Sequence, residues 1–233
     1  MKLLVLDVEG TLFRTTIRLP GTSIDSTIWQ SLAKALGPEA IADEVATHRR
    51  WHAGEYRSYL DWMKDTIQIH QRHGLSKALF DELVRAAEYN PGVPETLSAL
   101  DRSEFEPVLI SGGFRELTFR PQRDFGIRHV FAACEYLFDE TETLRGFNLL
   151  PCDFEGKIDF IRMMLREYGL SDQDWVFVGD GSNDLAIARK APISVTYGTN
   201  SILRASTTYA IEDFRDLEAI LASNSRWAVP SER

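Results

Sequence analysis

Asp7 and Glu9 are two carboxylates two residues apart, and they close the apolar run Leu3-Leu4-Val5-Leu6. Side chains at i and i+2 of a strand point the same way, so both acids can enter one cavity. Gly10 then lets the backbone turn where a Cβ would be strained. Two crowded carboxylates repel, and a cation or a retained proton must offset their charge. The pairing suits a nucleophile beside an acid/base group, with a divalent metal between the protein and an anionic substrate. Strand-end Asp and Glu also cap ordinary turns, so the motif takes its meaning from the rest of the chain.

Three later segments supply that meaning. Ser111-Gly112-Gly113 follows the apolar stretch Pro107–Ile110 and precedes a predicted helix. It offers a hydroxyl and free amides to an anion, with the helix N-terminus adding positive potential; a plain turn is the alternative. Lys157 follows Gly156 at the start of an amphipathic segment. The helix dipole disfavours an ammonium there, which favours a role at the site over a solvated lysine only when other signals agree. Gly179-Asp180-Gly181-Ser182-Asn183-Asp184 places two aspartates four apart among small residues at a strand-to-helix turn. That suits a hard, oxygen-ligated cation such as magnesium, which keeps waters and substrate oxygens beside few protein carboxylates. Together the segments describe phosphoryl transfer. One carboxylate attacks phosphorus, magnesium and a lysine neutralise the equatorial oxygens, and a second carboxyl group handles the leaving-group proton.

The elements that must position these residues alternate between strands and helices. Strands are expected at the amino-terminal run, Pro107–Ile110, His129–Ala133, Trp175–Val178, Ile193–Tyr197 and Thr208–Ile211, with hairpin character over Tyr136–Phe147. Helices are expected at Val93–Leu100, Phe114–Phe125, Glu155–Tyr168, Asp184–Lys190 and Phe214–Leu221. This rhythm predicts an α/β fold with a doubly wound, parallel, Rossmann-like sheet, whose ligands bind beyond the strand carboxyl ends. Three apolar strands each end in a polar, glycine-containing turn, which independent loops would not do.

The stretch 14–90 breaks the rhythm. Leu12–Gly21 reads as a short flap, and helices follow near Ile28–Leu36, Glu39–Trp51, Glu55–His73 and Ser76–Tyr89. Residues 1–13 and 91–223 are therefore expected to form the core, 14–90 a flap and inserted helical cap, and 224–233 a loosely held polar tail.

Composition excludes several classes. The chain of 233 residues is 44% hydrophobic, enough for one sizeable domain with a smaller insertion. A net charge of −9 without a basic cluster argues against nucleic acid or an anionic membrane as partner. Cys134 and Cys152 form no C-x-x-C pair and read as reduced thiols of a cytoplasmic protein. No apolar run approaches the ~20 residues of a membrane helix, and Met1-Lys2 leads directly into a strand rather than a signal segment.

With the four segments in this order, the chain resembles the haloacid dehalogenase superfamily of aspartate-nucleophile phosphatases. Leu109–Phe114, Val178–Leu185 and Pro91-Gly92-Val93-Pro94-Glu95 are most similar to its phosphoserine-phosphatase branch. The resemblance implies Asp7 as the nucleophile that becomes an aspartyl phosphate. It implies Glu9 at the general acid/base position, with its backbone carbonyl also reaching Mg2+. Asp180 would ligate the metal and Asp184 would hold the metal's waters. Ser111, the Gly112 amide, Lys157 and Asn183 would face the phosphoryl group. The implied partner is a small phosphorylated metabolite.

Two features depart from the family pattern. Most members carry aspartate where this chain has Glu9, whose carboxyl group reaches up to ~1.5 Å further. Some members carry glutamate there, so the expectation of an enzyme stands. Phosphoserine phosphatases also place an acid soon after the first motif and an arginine in the cap. Here the first stretch reads Phe13-Arg14-Thr15-Thr16-Ile17-Arg18, and the cap offers Arg57. Arg14 and Arg18 either bind a second anionic group or lie on a solvated flap. His48 and His52 are spaced i, i+4, for metal, substrate or plain surface. Trp29, Trp51 and Trp62 read as cap core, with one able to line a pocket. The leading expectation is a magnesium-dependent phosphatase of a small phosphomonoester. The alternatives are a phosphotransferase to an alcohol acceptor and a non-catalytic binding protein on the same fold.

Overall fold

A computed structural model of the chain describes residues 1–19 and 21–223. The expected polar tail, 224–233, lies outside the described residues. The strands are β1 (Lys2–Leu6), β2 (Ile17–Arg18), β3 (Asp25–Ser26), β4 (Phe105–Phe114), β5 (His129–Phe138), β6 (Leu144–Leu149), β7 (Trp175–Gly179), β8 (Ile193–Tyr197) and β9 (Tyr209–Ile211). The seven long-range strands form one sheet in the order β6-β5-β4-β1-β7-β8-β9, parallel throughout except for the β5–β6 pair. After Lys2, β1 is apolar and buried from Leu3 to Leu6 because it lies at the centre, covered on both faces.

Four helices fall within the described part of the cap stretch 14–90: α1 (Ile28–Leu36), α2 (Pro38–His52), α3 (Tyr59–Arg72) and α4 (Lys77–Ala86). The sheet is then flanked by α5 (Val93–Ala99), α6 (Arg115–Phe125), α7 (Lys157–Glu167), α8 (Leu185–Ala188), α9 (Ser201–Arg204) and α10 (Asp216–Ser223). The expected α/β fold with an inserted helical cap is what forms. No described helix is long and apolar enough to cross a membrane.

Several boundaries move for local reasons. Gly37 (φ 111°) ends α1, but Pro38 starts α2 because a proline at N1 has no helical amide to lose. The expected Glu55–His73 helix begins only at Tyr59, where the Ser58 hydroxyl accepts from the Asp61 amide and caps it. The flap is not a simple loop: Ile17–Arg18 pairs antiparallel with Asp25–Ser26. The strand at His129–Ala133 and the arm of the hairpin are one continuous β5, paired with β6 from Cys134 to Phe138. The hairpin reaches back to the cap, since the Leu144 and Lys77 amides donate to the carbonyls of Leu75 and Glu142. The cap is thus tied to the sheet, and its inner residues Leu32, Ile67, Phe80 and Leu83 belong to the same apolar core as the strands.

His70 sits in that seam, fully buried. Its Nδ1 lies 2.6 Å from the Tyr136 hydroxyl, while Nε2 has no partner. Burial, helped by His73, pushes its pKa down to about 3. The unfolded chain binds a proton near pH 6.5 that the folded chain refuses, so stability falls as the pH drops through that window. At pH 5 this group alone should cost about 2 kcal/mol. Urea denaturation at pH 7 and pH 5 should show that loss, with a flatter pH slope in His70→Gln; equal slopes would exclude His70 as its source.

Candidate active site

Strand order brings the motifs together. β4 and β7 pair with β1 on its two sides, in registers that set Leu6 beside Leu109 and Val178. Asp7, Ser111 and Asp180 therefore leave neighbouring strands at the same edge, where the parallel sheet reverses its winding. The Asp7 amide donates to the Val178 carbonyl at 3.0 Å, which fixes the acid's root. Gly10 (φ 83°) turns the chain beneath it, and a Cβ there would run into the Asp180 carboxylate. The Thr11 hydroxyl donates to Asp180 Oδ1 at 2.9 Å.

Lys157 opens α7 and is fully buried. Its Nζ lies 2.6 Å from Asp7 Oδ1, 2.7 Å from Asp184 Oδ1 and 3.7 Å from Asp153 Oδ1. Burial alone would lower its pKa, but Asp184, Asp7 and Asp153 hold it well above the usual lysine value. Asp184 is fixed in turn, because the Asp180 and Gly181 amides donate to its Oδ2 at 3.1 and 3.3 Å.

One oxygen each from Asp7, Asp180 and Asp184 lies within 4.8 Å of the others. Their charge exceeds what one ammonium offsets. Burial raises the Asp7 carboxyl well above its ordinary value, with Asp184 and Asp180 adding to the rise. Burial and Asp184 likewise push Asp180 to about 7. A hard-oxygen donor set with excess negative charge fits a divalent cation such as magnesium.

Glu9 enters the same cavity. Its Oε1 is buried without a hydrogen-bond partner, and burial together with Asp153 raises its pKa to about 7. The carboxylate lies over Gly113, where any Cβ would overlap Oε1. The longer side chain is accommodated because position 113 has none. Ser111-Gly112-Gly113 does not end its strand as expected. β4 continues to Phe114, and its pairing with β5 shifts between Ser111 and Phe114, so both glycines drop out of the ladder. That bulge frees backbone where an anion can approach. The Ser111 hydroxyl accepts from the Gly113 amide at 3.0 Å.

Asp7, Glu9, Ser111, Gly112 and Asn183 line one cavity of about 420 Å³ between the sheet edge and the cap. Lys157, Asp180 and Asp184 lie behind its floor. Trp29, Trp51 and Trp62 all reach the cavity wall, as do His48 and His52, so these tryptophans are more than cap core. The two histidine rings meet each other at 4.5 Å. Among the described residues only Asp7, Asp180 and Asp184 gather three possible metal ligands. The flap arginines go elsewhere. Arg14 pairs with Glu88 at 3.2 Å and Arg18 with Asp25 at 3.0 Å, and neither these nor Arg57 line the cavity. Arg14 and Arg18 are solvated flap residues, not a second anion site.

Three contributors escape a reading of the sequence. Asp153 accepts from Asn183 Nδ2 at 2.9 Å, and a Cβ at Gly112 would strike its carboxylate. Its position one turn before Lys157 was the available signal. Asn90 donates to the carbonyls of Gly10, Thr11 and Phe13, pinning the first motif to the end of the cap. Tyr59 donates its hydroxyl hydrogen to the Gly112 carbonyl at 2.6 Å, joining cap to sheet edge. Tyr59→Phe removes that bond, worth about 1 kcal/mol net. Steady-state kinetics should show a loss of about fivefold in kcat/KM; unchanged kinetics would make the contact incidental.

Comparison with known proteins agrees with this geometry. The haloacid dehalogenase-like hydrolase family matches residues 1–192. A phosphoserine phosphatase of Streptococcus thermophilus is 26% identical over 215 residues, covering 91% of this chain and 90% of its own. A phospho-aspartyl intermediate analogue of phosphoserine phosphatase superposes with a TM-score of 0.74 at 17% identity, over 94% of this chain and 98% of that one. A haloacid dehalogenase family hydrolase of Salmonella enterica serovar Typhi reaches 0.78 at 16% identity, over 96% and 71%. At those identities the structures speak for the fold, and the sequence match carries the kinship. With the family match spanning residues 1–192, this chain belongs to the haloacid dehalogenase-like hydrolase family.

Proposed function

We propose that this chain is a magnesium-dependent phosphatase of a small phosphomonoester, with residues 1–13 and 91–223 as catalytic core and 14–90 as flap and cap. The observation that carries the reading is the pairing of Asp7 with buried Lys157 beside a cavity that also holds the Glu9 carboxyl, whose Oε1 has no hydrogen-bond partner. Asp7, Asp180 and Asp184 would hold the ion, with the Glu9 backbone carbonyl as a further ligand. Bound there, magnesium supplies positive charge against the equatorial phosphoryl oxygens.

The chain's own residues perform the transfer. Lys157 engages Asp7 Oδ1 and so leaves Oδ2 to attack phosphorus. The Oδ2–P bond forms as the bond to the leaving alcohol breaks, and Glu9, poised near neutrality, gives that alcohol its proton. Glu9 then accepts a proton from water as the water oxygen bonds to phosphorus and the Oδ2–P bond of the acyl phosphate breaks, returning Asp7 to its carboxylate. Ser111, the Gly112 amide and Asn183 hold the phosphoryl oxygens, and the cap excludes bulk water from the first step.

Phosphoserine is a poor candidate despite the names of the relatives, because no arginine among the described residues lines the cavity to meet its carboxylate. The test is phosphate release from a panel of phosphomonoesters with and without magnesium, beside Asp7→Asn. Turnover that needs both the metal and Asp7 supports the reading. Its absence from folded protein would overturn it, and products trapped on added alcohols would make the chain a phosphotransferase.

A further inference from the structure

The cap wall of the cavity is built from two helical stripes. Glu44, Thr47, His48 and Trp51 project from α2 at i, i+3, i+4 and i+7. Tyr59, Trp62, Met63 and Thr66 project from α3 with the same spacing. The rings form a continuous surface. Trp51 and Trp62 stack at 4.9 Å and 11°, Tyr59 meets Trp62 edge-on at 6.2 Å, and Phe154 lies 5.1 Å from Tyr59.

The charge on this surface has one sign. Glu44 lines the cap side, and Asp7, Glu9 and Asp153 line the core side, whereas no lysine or arginine among the described residues lines the cavity. Lys157 beneath the floor is already shared among three carboxylates. Arg50, the charged residue of α2 beside this stripe, is turned to Glu55 and Asp65. His48 adds no charge near neutral pH, since burial and His52 lower its pKa. No side chain or amide among the described residues donates a hydrogen bond to the Glu44 carboxylate.

A second anionic group on the substrate would be desolvated opposite these carboxylates with no lining lysine or arginine among the described residues to meet it. Lys34 acts on Glu44 from outside the cavity lining, so a neutral ring would cover the aromatic wall but leave Glu44 with no partner inside the cavity. An alkylammonium meets both features, because ring faces attract cations and a carboxylate neutralises them. We propose that the alcohol half of the substrate carries an ammonium and no carboxylate, an amino-alcohol phosphate, with its cation between Glu44 and the Trp51, Tyr59 and Trp62 rings. This rests on the phosphatase reading of the same cavity.

The test compares phosphocholine, phosphoethanolamine, phosphoserine and phenyl phosphate in two ways. Wild-type kcat/KM is measured with magnesium, and binding to Asp7→Asn protein is measured by calorimetry, which needs no turnover. Both should favour the two amino-alcohol esters at least tenfold over the others. Glu44→Gln should lower the phosphocholine to phenyl phosphate ratio about tenfold. Equal or better use of phosphoserine or phenyl phosphate, or a ratio that Glu44→Gln leaves in place, overturns the proposal. Magnesium-dependent turnover of phenyl phosphate without amine preference does so while leaving the phosphatase reading intact. Amine-selective binding with no turnover of any ester does the reverse.

Discussion

Asp7→Asn will abolish turnover and, in the same protein, raise stability. The amide is nearly the size of the carboxylate but cannot form the acyl phosphate, so kcat should fall about 10⁴-fold or more, as for loss of other nucleophiles. The stability change has the opposite sign because the carboxylate is held where its charge is unwelcome. Burial is the main cause; Lys157 opposes it, Asp184 and Asp180 add repulsion, and the net shift is upward. A carboxyl group whose pKa rises on folding costs stability at pH 7, where the unfolded chain keeps it ionised at no expense. Removing that charge should gain about 1–2 kcal/mol. Lys157 keeps Asp184 and Asp153 as partners, so no buried ammonium is orphaned. Calorimetric Tm in the presence of EDTA reads the effect; a lower Tm would mean that the Lys157 pair outweighs the desolvation.

Lys157→Met is expected to be the most damaging single change in the site. The thioether matches the length of the lysine stem but leaves Asp7, Asp153 and Asp184 facing one another without their ammonium. Breaking a buried ion pair by removing one partner costs about 3–5 kcal/mol, because the remaining charge is stranded. The signature is its dependence on pH. Asp7, already held above its unfolded pKa, loses the ammonium that opposed the rise and relieves the strain by taking up a proton. The deficit relative to wild type should be largest above neutrality and shrink as pH falls toward 5. The His70 contribution is common to both proteins and cancels in the difference. Paired urea titrations at pH 7.5 and pH 5, in EDTA, measure this; a deficit independent of pH would mean lost packing rather than lost charge. Activity should fall about 10²–10³-fold in addition, since one cation facing the phosphoryl oxygens is gone.

The four chemical segments were legible because their signals are local. A central parallel strand must be apolar, and it must stop where polar chemistry begins, so Leu3–Leu6 followed by Asp7 and Glu9 declares both at once. The same holds for Trp175–Gly179 before Asp180. Sheet rules then place such strand ends side by side, which is why Asp7, Ser111 and Asp180 could be grouped before any fold was known, with Lys157 joined to them by the family resemblance. Boundaries were less legible. Ser111–Gly113 looked like a strand end, but hydrogen bonding to β5 resumes at Phe114, and only the pairing register reveals the bulge.

The cap shows the limit of sequence. The spacing of Glu44, Thr47, His48 and Trp51 marks one face of a helix, and that of Tyr59, Trp62, Met63 and Thr66 another. Periodicity identifies a face without saying whether it meets core, cavity or water. Arg14 and Arg18 carried the charge of an anion site, yet Glu88 and Asp25 hold them on the surface. Asp153 and Asn90 act through partners 30 and 80 residues away. The sequence by itself determined the fold class, the nucleophile's strand and the metal-suited acids, because each follows from neighbours along the chain. Only the tertiary structure decided the cavity's charge and shape, because those arise where distant helices pack against the sheet edge.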